Sequence, residues 1–572
     1  MACKINSFKL SFRWNTDKHN RLAQLATLLS LVLSLTKGEK KYFTMQASLQ
    51  KGAKDYLRLF NLITKRTEAA DLKASFLKAK HTASYETSCK YLFSVLTKYL
   101  IQLRQEENIT NQLVNGLLRA NLFFEKSLYE EGFLQLKKIK EGAAAKQQHL
   151  LELWACRLEL NYQSQLNFHS VSEKELIQLQ MHMDDVLCIL KNSQQHHNLY
   201  ELMRQRLSHK GTTRSTQQTA GYNDLVVTEL GLMNMPPAVS FQSQKAHLLF
   251  QANYFLTTNN YPSALKLFYQ LHDLFEKHRS LWQDQPQYYI FMMEGILNSL
   301  RTVRQYQDLA FFLSNLQKFE TSSGSAQLMI EKITYVYSLA SLLDNGEFEK
   351  ALAVLKKKKL SLLLKISLLD ATQQAEVYLY TALTYFVSNH LQESYQYLRS
   401  VLLENKLFYN LPVYKTFRLI RLLVHYELGD HQYISYEARS IKRSMQKENQ
   451  TSYLLEKTLL KFLQLQRLPS DLNERLMLWE KLKPEFDAIR EDKYESQLLK
   501  LFDVTLWVES TLCKKPLNQL LILTGGYLAF INKGTEQQSF IFKKKCTTKP
   551  YHSSGASFKS DASYNAVPCP SY

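Results

Sequence analysis

The chain has 572 residues, 45% hydrophobic and 22% charged, a balance that excludes a disordered polymer and leaves room for a large core. With only 16 Gly and 11 Pro it has too few turn residues for an all-β protein of this length, so helices are expected throughout. The net charge of +20 attracts nucleic acid, anionic surfaces or acidic partners but specifies no fold.

Residues 1–20 carry no period and are expected to form a loose extension. Leu22 to Leu35 is apolar over the length of a signal-peptide core. It is too short to span a bilayer and lacks a small-residue cleavage site, so it reads as a buried helix. Thr36 and Glu39 have capping-box spacing, which starts a second helix at Thr36. Tyr56, Leu57, Leu59, Phe60 and Ile63 form an apolar stripe of helical period. Helices are expected over Ala70–Phe76 and Tyr91–Leu103.

Residues 21–110 form a basic helical N-terminal region. From Lys37 to Arg104 fourteen Lys and Arg stand against five Asp and Glu, a net charge of +9. Lys37, Lys40, Lys41, Lys65 and Arg66 are the candidate contacts to nucleic acid or an acidic partner. A helical cap with wet lysines is the favoured reading, because no Arg, Asn and Gln cluster at base-reading spacing accompanies them.

Residues 111–207 hold helical repeats. Ala120 and Phe123 pack one helix, Ser127-Leu128-Tyr129 turns, and Gly132, Leu136 and Ile139 pack the next. Residues 208–222 are poor in apolar side chains and read as a linker or exposed loop. From 245 to 443 one helix-pair pattern recurs. Its second helices are headed by Ala264, Leu309, Ala351, Ser394 and Ile434, at intervals of 45, 42, 43 and 40. Ala252, Ala264, Phe268, Ala351, Leu355 and Leu398 are the expected packing residues. Residues 444–520 are further helix broken at Pro469 and Pro484. Leu521 to Ile531 reads as a short strand or buried turn within a disordered tail, 521–572.

The polar turns and small residues at Ala252, Tyr261, Ala264 and Phe268, and at Phe348, Ala351 and Leu355, resemble tetratricopeptide repeats. The periods are longer than that family's, and its Trp-x-x-Leu-Gly and terminal Pro are missing. The resemblance implies an all-α right-handed helical-repeat solenoid with a concave peptide-binding surface. The segment Ser34-Leu35-Thr36-Lys37-Gly38-Glu39-Lys40-Lys41-Tyr42-Phe43, with Lys90-Tyr91-Leu92 and Phe502-Asp503-x-x-x-Trp507, resembles a group of uncharacterised bacterial helical-repeat proteins, which implies no activity.

Chemistry-bearing motifs are scarce. There is no phosphate-cradling glycine loop, HExxH or GxSxG. His182, Asp184 and Asp185, with His196 and His197 nearby, are the densest ligand-type cluster, but one helix does not bring them together. Cys156 reads as a small buried residue. Tyr288, Tyr289, Tyr395 and Tyr397 are packing residues or a groove lining. The seven scattered cysteines, never in CxxC, fit reduced thiols in the cytoplasm. The expected function is a non-catalytic scaffold without cofactor or metal, binding a protein or peptide partner. The alternative is a nucleic-acid-binding regulator using the N-terminal helices.

Overall fold

The computed structural model describes residues 27–523, apart from 50–54, 66–68, 78–83, 106–107, 170, 212, 234–239, 284, 322, 403–407, 410, 412, 448–452, 466–467 and 493. The 1–20 extension, Arg66 and the tail beyond residue 523 lie outside the described residues. Among those described, every regular element is helical. The chain divides into two compact units: one up to Asn115 with Ser323–Ser325, the other Gly116–Ser322 with the chain from Ala326 onward.

The first unit contains α1 (27–34), α2 (Lys37–Leu49), α3 (Asp55–Thr64), α4 (Ala69–Leu77) and α5 (Tyr85–Leu103). The capping box forms as spaced: the Thr36 amide donates to Glu39 Oε2 at 2.8 Å, and the Glu39 amide donates to Thr36 Oγ1 at 3.2 Å. α1 is amphipathic rather than buried all round. Leu28, Val32 and Leu35 point inward at helical spacing, while Ser30 and Leu33 are exposed. Residues 22–26 of that apolar run lie outside the described residues. The stripe on α3 buries Tyr56, Leu59, Phe60 and Ile63. Phe43 of α2 sits at the centre, 4.6 Å from Phe60 and 6.0 Å from Tyr99 between ring centroids.

α6 (Ile109–Glu125) spans the division at Asn115; in the second unit α7 (Tyr129–Ala145), α8 (His149–Gln165) and the 38-residue α9 (Glu173–Lys210) precede two shorter helices, α10 (Thr216–Ala220) and α11 (Asn223–Met233). Five helix pairs follow: α12 (Phe241–Thr257) with α13 (Tyr261–Lys277), α14 (Gln287–Thr302) with α15 (Tyr306–Gln317), α16 (Gly324–Asp344) with α17 (Phe348–Leu363), α18 (Ala371–Val387) with α19 (Leu391–Leu402), and α20 (Tyr414–Glu427) with α21 (His431–Lys447).

One turn joins the two helices of every pair. Its middle residue is left-handed: Asn259 (φ 60°), Arg304 (58°), Gly346 (70°), Asn389 (59°) and Gly429 (74°). The next amide donates five residues back, to Phe255, Leu300, Leu342, Tyr385 and His425, at 2.8–2.9 Å. This is the Schellman closure, which satisfies a helix-end carbonyl that would otherwise be orphaned. The same closure occurs at Ser127 and Gln147 between α6, α7 and α8. Five residues after each left-handed residue the next helix turns inward. In the array those positions are Ala264, Leu309, Ala351, Ser394 and Ile434, all at most 1% exposed. The intervals read in the sequence are therefore intervals between identical turns.

Two crossings are close enough to need glycine. A Cβ on Gly295 would lie 2.3 Å from the Phe268 ring, and one on Gly132 2.7 Å from Phe124. Phe124, not Phe123, is the buried aromatic of α6; Phe123 is half-buried. Ala252, Ala264, Phe268, Ala351, Leu355 and Leu398 are all buried.

Past the array lie α22 (Leu454–Leu463), α23 (Leu472–Glu491), a 3-10 turn (Glu495–Lys500), α24 (Val504–Cys513) and α25 (517–523). Pro484 does not break the chain: α23 runs through it, burying Trp479, Leu482, Phe486 and Ile489 along one face, and that packing carries the missing amide. Leu521 to Leu523 continue α25 rather than forming a strand or buried turn, with Ile522 and Leu523 exposed. This segment runs along the row of pair turns. Lys500 lies over the Tyr261 ring, its carbonyl accepts from Arg301 at 2.8 Å, and Asn518 abuts Gly346. Phe502 and Trp507 meet Phe386, and the Trp507 indole donates to Glu427 at 3.0 Å.

Candidate interaction surfaces and buried polar clusters

The first helices of the first four pairs are closed to solvent, while α20 exposes Lys415 and Glu427. α12 and α14 carry no exposed residue, α18 exposes only Thr372, and α16 exposes only residues of its first turn, Gly324, Ser325 and Gln327. Lys332 to Tyr337 and Leu379 to Phe386 are buried without interruption, so these helices are enclosed on every side.

Polar side chains are buried among them, joined across successive pairs. Lys332 of α16, 3% exposed at its side chain, reaches Glu294 of α14 at 2.6 Å and Glu376 of α18. Burial opposes its charge, and the two carboxylates outweigh burial and hold the ammonium above its ordinary value. Burial pushes the Glu376 carboxyl up, with Lys332 opposing. One turn along, Arg301 forms a bidentate pair with Asp344 at 2.6 and 2.8 Å and donates to the Tyr380 hydroxyl. These pairs link α14, α16 and α18, and removing one partner would leave the other charge uncompensated in the interior.

Residues 208–222 are anchored rather than free. α9 extends through Lys210, α10 takes 216–220, and the Thr213 amide donates to Thr257 at 3.0 Å. Arg214 lies between Glu456 (2.7 Å) and Glu495 (3.0 Å), with its guanidinium 4.8 Å from the Tyr453 ring centroid. Two shielded lysines, Lys245 and Lys500, have no carboxylate within ion-pair distance among the described residues. Burial pushes the Lys245 ammonium, 3.9 Å from the Tyr288 ring centroid, down to about 8. Burial, with Arg301 beside it, pushes Lys500 down to about 6.

The ligand-type residues of α9 disperse. His182 Nε2 bonds Glu152 of α8 at 2.9 Å, His197 Nδ1 donates to the Ser193 carbonyl at 2.8 Å, and His196 packs against His247. Asp184 and Asp185 are exposed. Glu152, 2% exposed, also bonds His149 at 3.0 Å, so one buried carboxylate holds two imidazoles. It occupies the inward position five residues after Gln147, and sequence spacing did not single it out. Among the described residues no group of three or more His, Cys, Asp and Glu side chains is arranged to hold a metal ion. Cys156 is buried, and burial pushes its thiol up to about 11, far from a reactive thiolate.

The four tyrosines considered as a groove lining have partners inside the fold: Tyr289 stacks on Trp282 at 4.4 Å, Tyr397 on Tyr385 at 5.9 Å, Tyr395 faces Arg421, and Tyr288 faces Lys245. In the first unit Lys37, Lys41 and Lys65 are exposed and Lys40 is half-buried. Lys37, Lys40 and Lys41 share the first turns of α2, and Lys65 follows the end of α3.

Exposed apolar side chains run from α6 into α9, among them Leu118 (59%), Leu134 (48%), Leu150 (70%), Trp154 (47%), Ile177 (47%) and Met181 (63%), and α8 carries the one exposed Trp among the described residues. The Glu152–His182 bond holds α8 and α9 side by side. No helix of the described residues is long and apolar enough to cross a membrane. No protein-family model, curated protein or solved structure matches the chain.

Proposed function

We propose that the chain is a non-catalytic scaffold, a right-handed tetratricopeptide-like array, that binds a protein or peptide partner through the α8–α9 surface. The observation that carries this reading is the placement of exposed apolar side chains. The first helices of the array keep their apolar residues inside, whereas α8 and α9 present Leu150, Trp154, Ile177 and Met181 to solvent. A Trp flanked by aliphatic side chains has the composition of an interface hot spot. The resemblance to tetratricopeptide repeats implied a concave peptide-binding surface; the closure of the first helices moves the proposed surface to α8 and α9.

Affinity purification from the native host tests this with the intact chain and a Trp154→Glu/Met181→Glu variant. The expected outcome is a partner recovered by the first and lost by the second, with unchanged helical circular dichroism and melting. Equal recovery by both would remove the α8–α9 surface from the proposal.

A further inference from the structure

The solvent face of α5 is basic and free of acids. Buried residues lie on one side: Tyr85, Ser88, Leu92, Val95, Leu96, Tyr99 and Leu100. Opposite them, at helical spacing, lie exposed Thr87, Lys90, Tyr91, Ser94, Lys98 and Gln102. That face carries two positive charges and no negative one. The helix's single acid, Glu86, is turned aside to Lys73 at 3.2 Å. Lys90 and Lys98 have no carboxylate partner among the described residues. Tyr91 is 50% exposed, and Tyr56 steadies its ring edge-on at 5.2 Å.

A second basic element lies at the same end of α5 as Lys98. Arg104, just past α5, bonds Glu39 of α2 at 2.5 Å, which brings the first turns of α2, with Lys37, Lys40 and Lys41, to that end of the helix. Lys37 and Lys41 likewise have no ion pair among the described residues. The one buried acid of α2 is therefore consumed internally, and the lysines around it remain uncompensated.

We propose that this face binds nucleic acid, with Lys90 and Lys98 on backbone phosphates and Tyr91 against a base or sugar. Charge complementarity selects a polyanion. The interleaved hydroxyls and amide of Thr87, Ser94 and Gln102 select among polyanions, because such groups donate to phosphates and base edges. A membrane surface would ask instead for a continuous apolar row beside the lysines. The exposed apolar residues of α5 are Tyr91, Phe93 and Ile101, and Ser94, Thr97 and Lys98 keep them from forming a continuous row.

The test is fluorescence anisotropy of the full chain with a short single-stranded oligonucleotide and a duplex of the same length, titrated from about 50 to about 200 mM salt. Binding of either is expected, weakening steeply with salt. Lys90→Glu/Lys98→Glu should weaken it at least about tenfold and lower the salt slope by about two, one for each phosphate no longer neutralised. Tyr91→Ala should weaken the single strand more than the duplex if the ring stacks on a base. Lys90→Gln/Lys98→Gln serves as a milder variant should charge reversal disturb folding. The proposal is overturned by no binding to either oligonucleotide, by salt-independent binding, or by full retention in both lysine variants. It is also overturned if only phosphatidylserine vesicles or polyglutamate are bound.

Discussion

The two units treat charge in opposite ways. In the second unit, Lys332, Arg301 and Arg214 are largely shielded from solvent, and each pairs with one or two acids from other elements. In the first unit, Lys37, Lys41, Lys90 and Lys98 stand in solvent without acids. A paired buried charge is costly to break; an exposed unpaired one costs the fold little and is free to meet a partner. The first unit and the surface of α8 and α9 are thus where binding is argued, and the interior of the array is where stability is argued.

That contrast can be broken at its strongest point. Lys332→Ala should destabilise the chain by ~3–5 kcal/mol, because two carboxylates remain in a closed interior without their cation. Urea denaturation reads this directly, and a loss below about 1 kcal/mol would show that the triad is solvated. Next comes His272, which burial pushes down to about 4. Its folded value lies below the unfolded one near 6.5, so the unfolded chain binds the extra proton between them. Stability from this group is complete above pH 6.5 and declines as pH falls to 4, by up to about 3 kcal/mol. His272→Leu should flatten that part of the stability–pH profile.

A smaller effect is expected where helices touch. Gly295→Ala drives a methyl into the Phe268 ring and should cost ~1–3 kcal/mol; pairing it with Phe268→Leu should restore part of the loss. Ala351→Leu, at a fully buried position, should cost a similar ~1–3 kcal/mol. The smallest effect belongs to the first unit: Lys37→Glu/Lys41→Glu should change the melting free energy by less than ~0.5 kcal/mol. A large loss there would mean that these lysines have structural partners and would erase the contrast.

How much of this could be read without coordinates follows from the range of each signal. Local signals were legible: the Thr36–Glu39 box, the α3 stripe, and the turns at Gly346 and Gly429, where glycine marks a left-handed residue. Arg304 adopts the same conformation with nothing in its type to announce it, so the second pair was visible only through Leu309. Non-local signals were not legible. Residues 208–222 looked like a loop by composition because the acids that bury Arg214 lie 242 and 281 positions away. Lys332 gave no hint of its partners on α14 and α18. Nor did the long apolar run in α16 disclose that the helix is enclosed rather than lining a groove, since both states write apolar residues at similar spacing.

The repeated turn also divides the array into a constrained side and a permissive one. Within a pair the connection is always three residues, 258–260, 303–305, 345–347, 388–390 and 428–430. Between pairs it varies, with nine residues from Lys277 to Gln287, six from Gln317 to Gly324 and seven from Leu363 to Ala371. Grafted loops, protease sites or fluorescent tags should therefore be accommodated in the connections between pairs. A single inserted residue inside a pair would rotate the following helix by roughly 100° and turn its inward side chain to water. New function could be added to such a chain by lengthening one row of connections, without re-solving the packing of any pair.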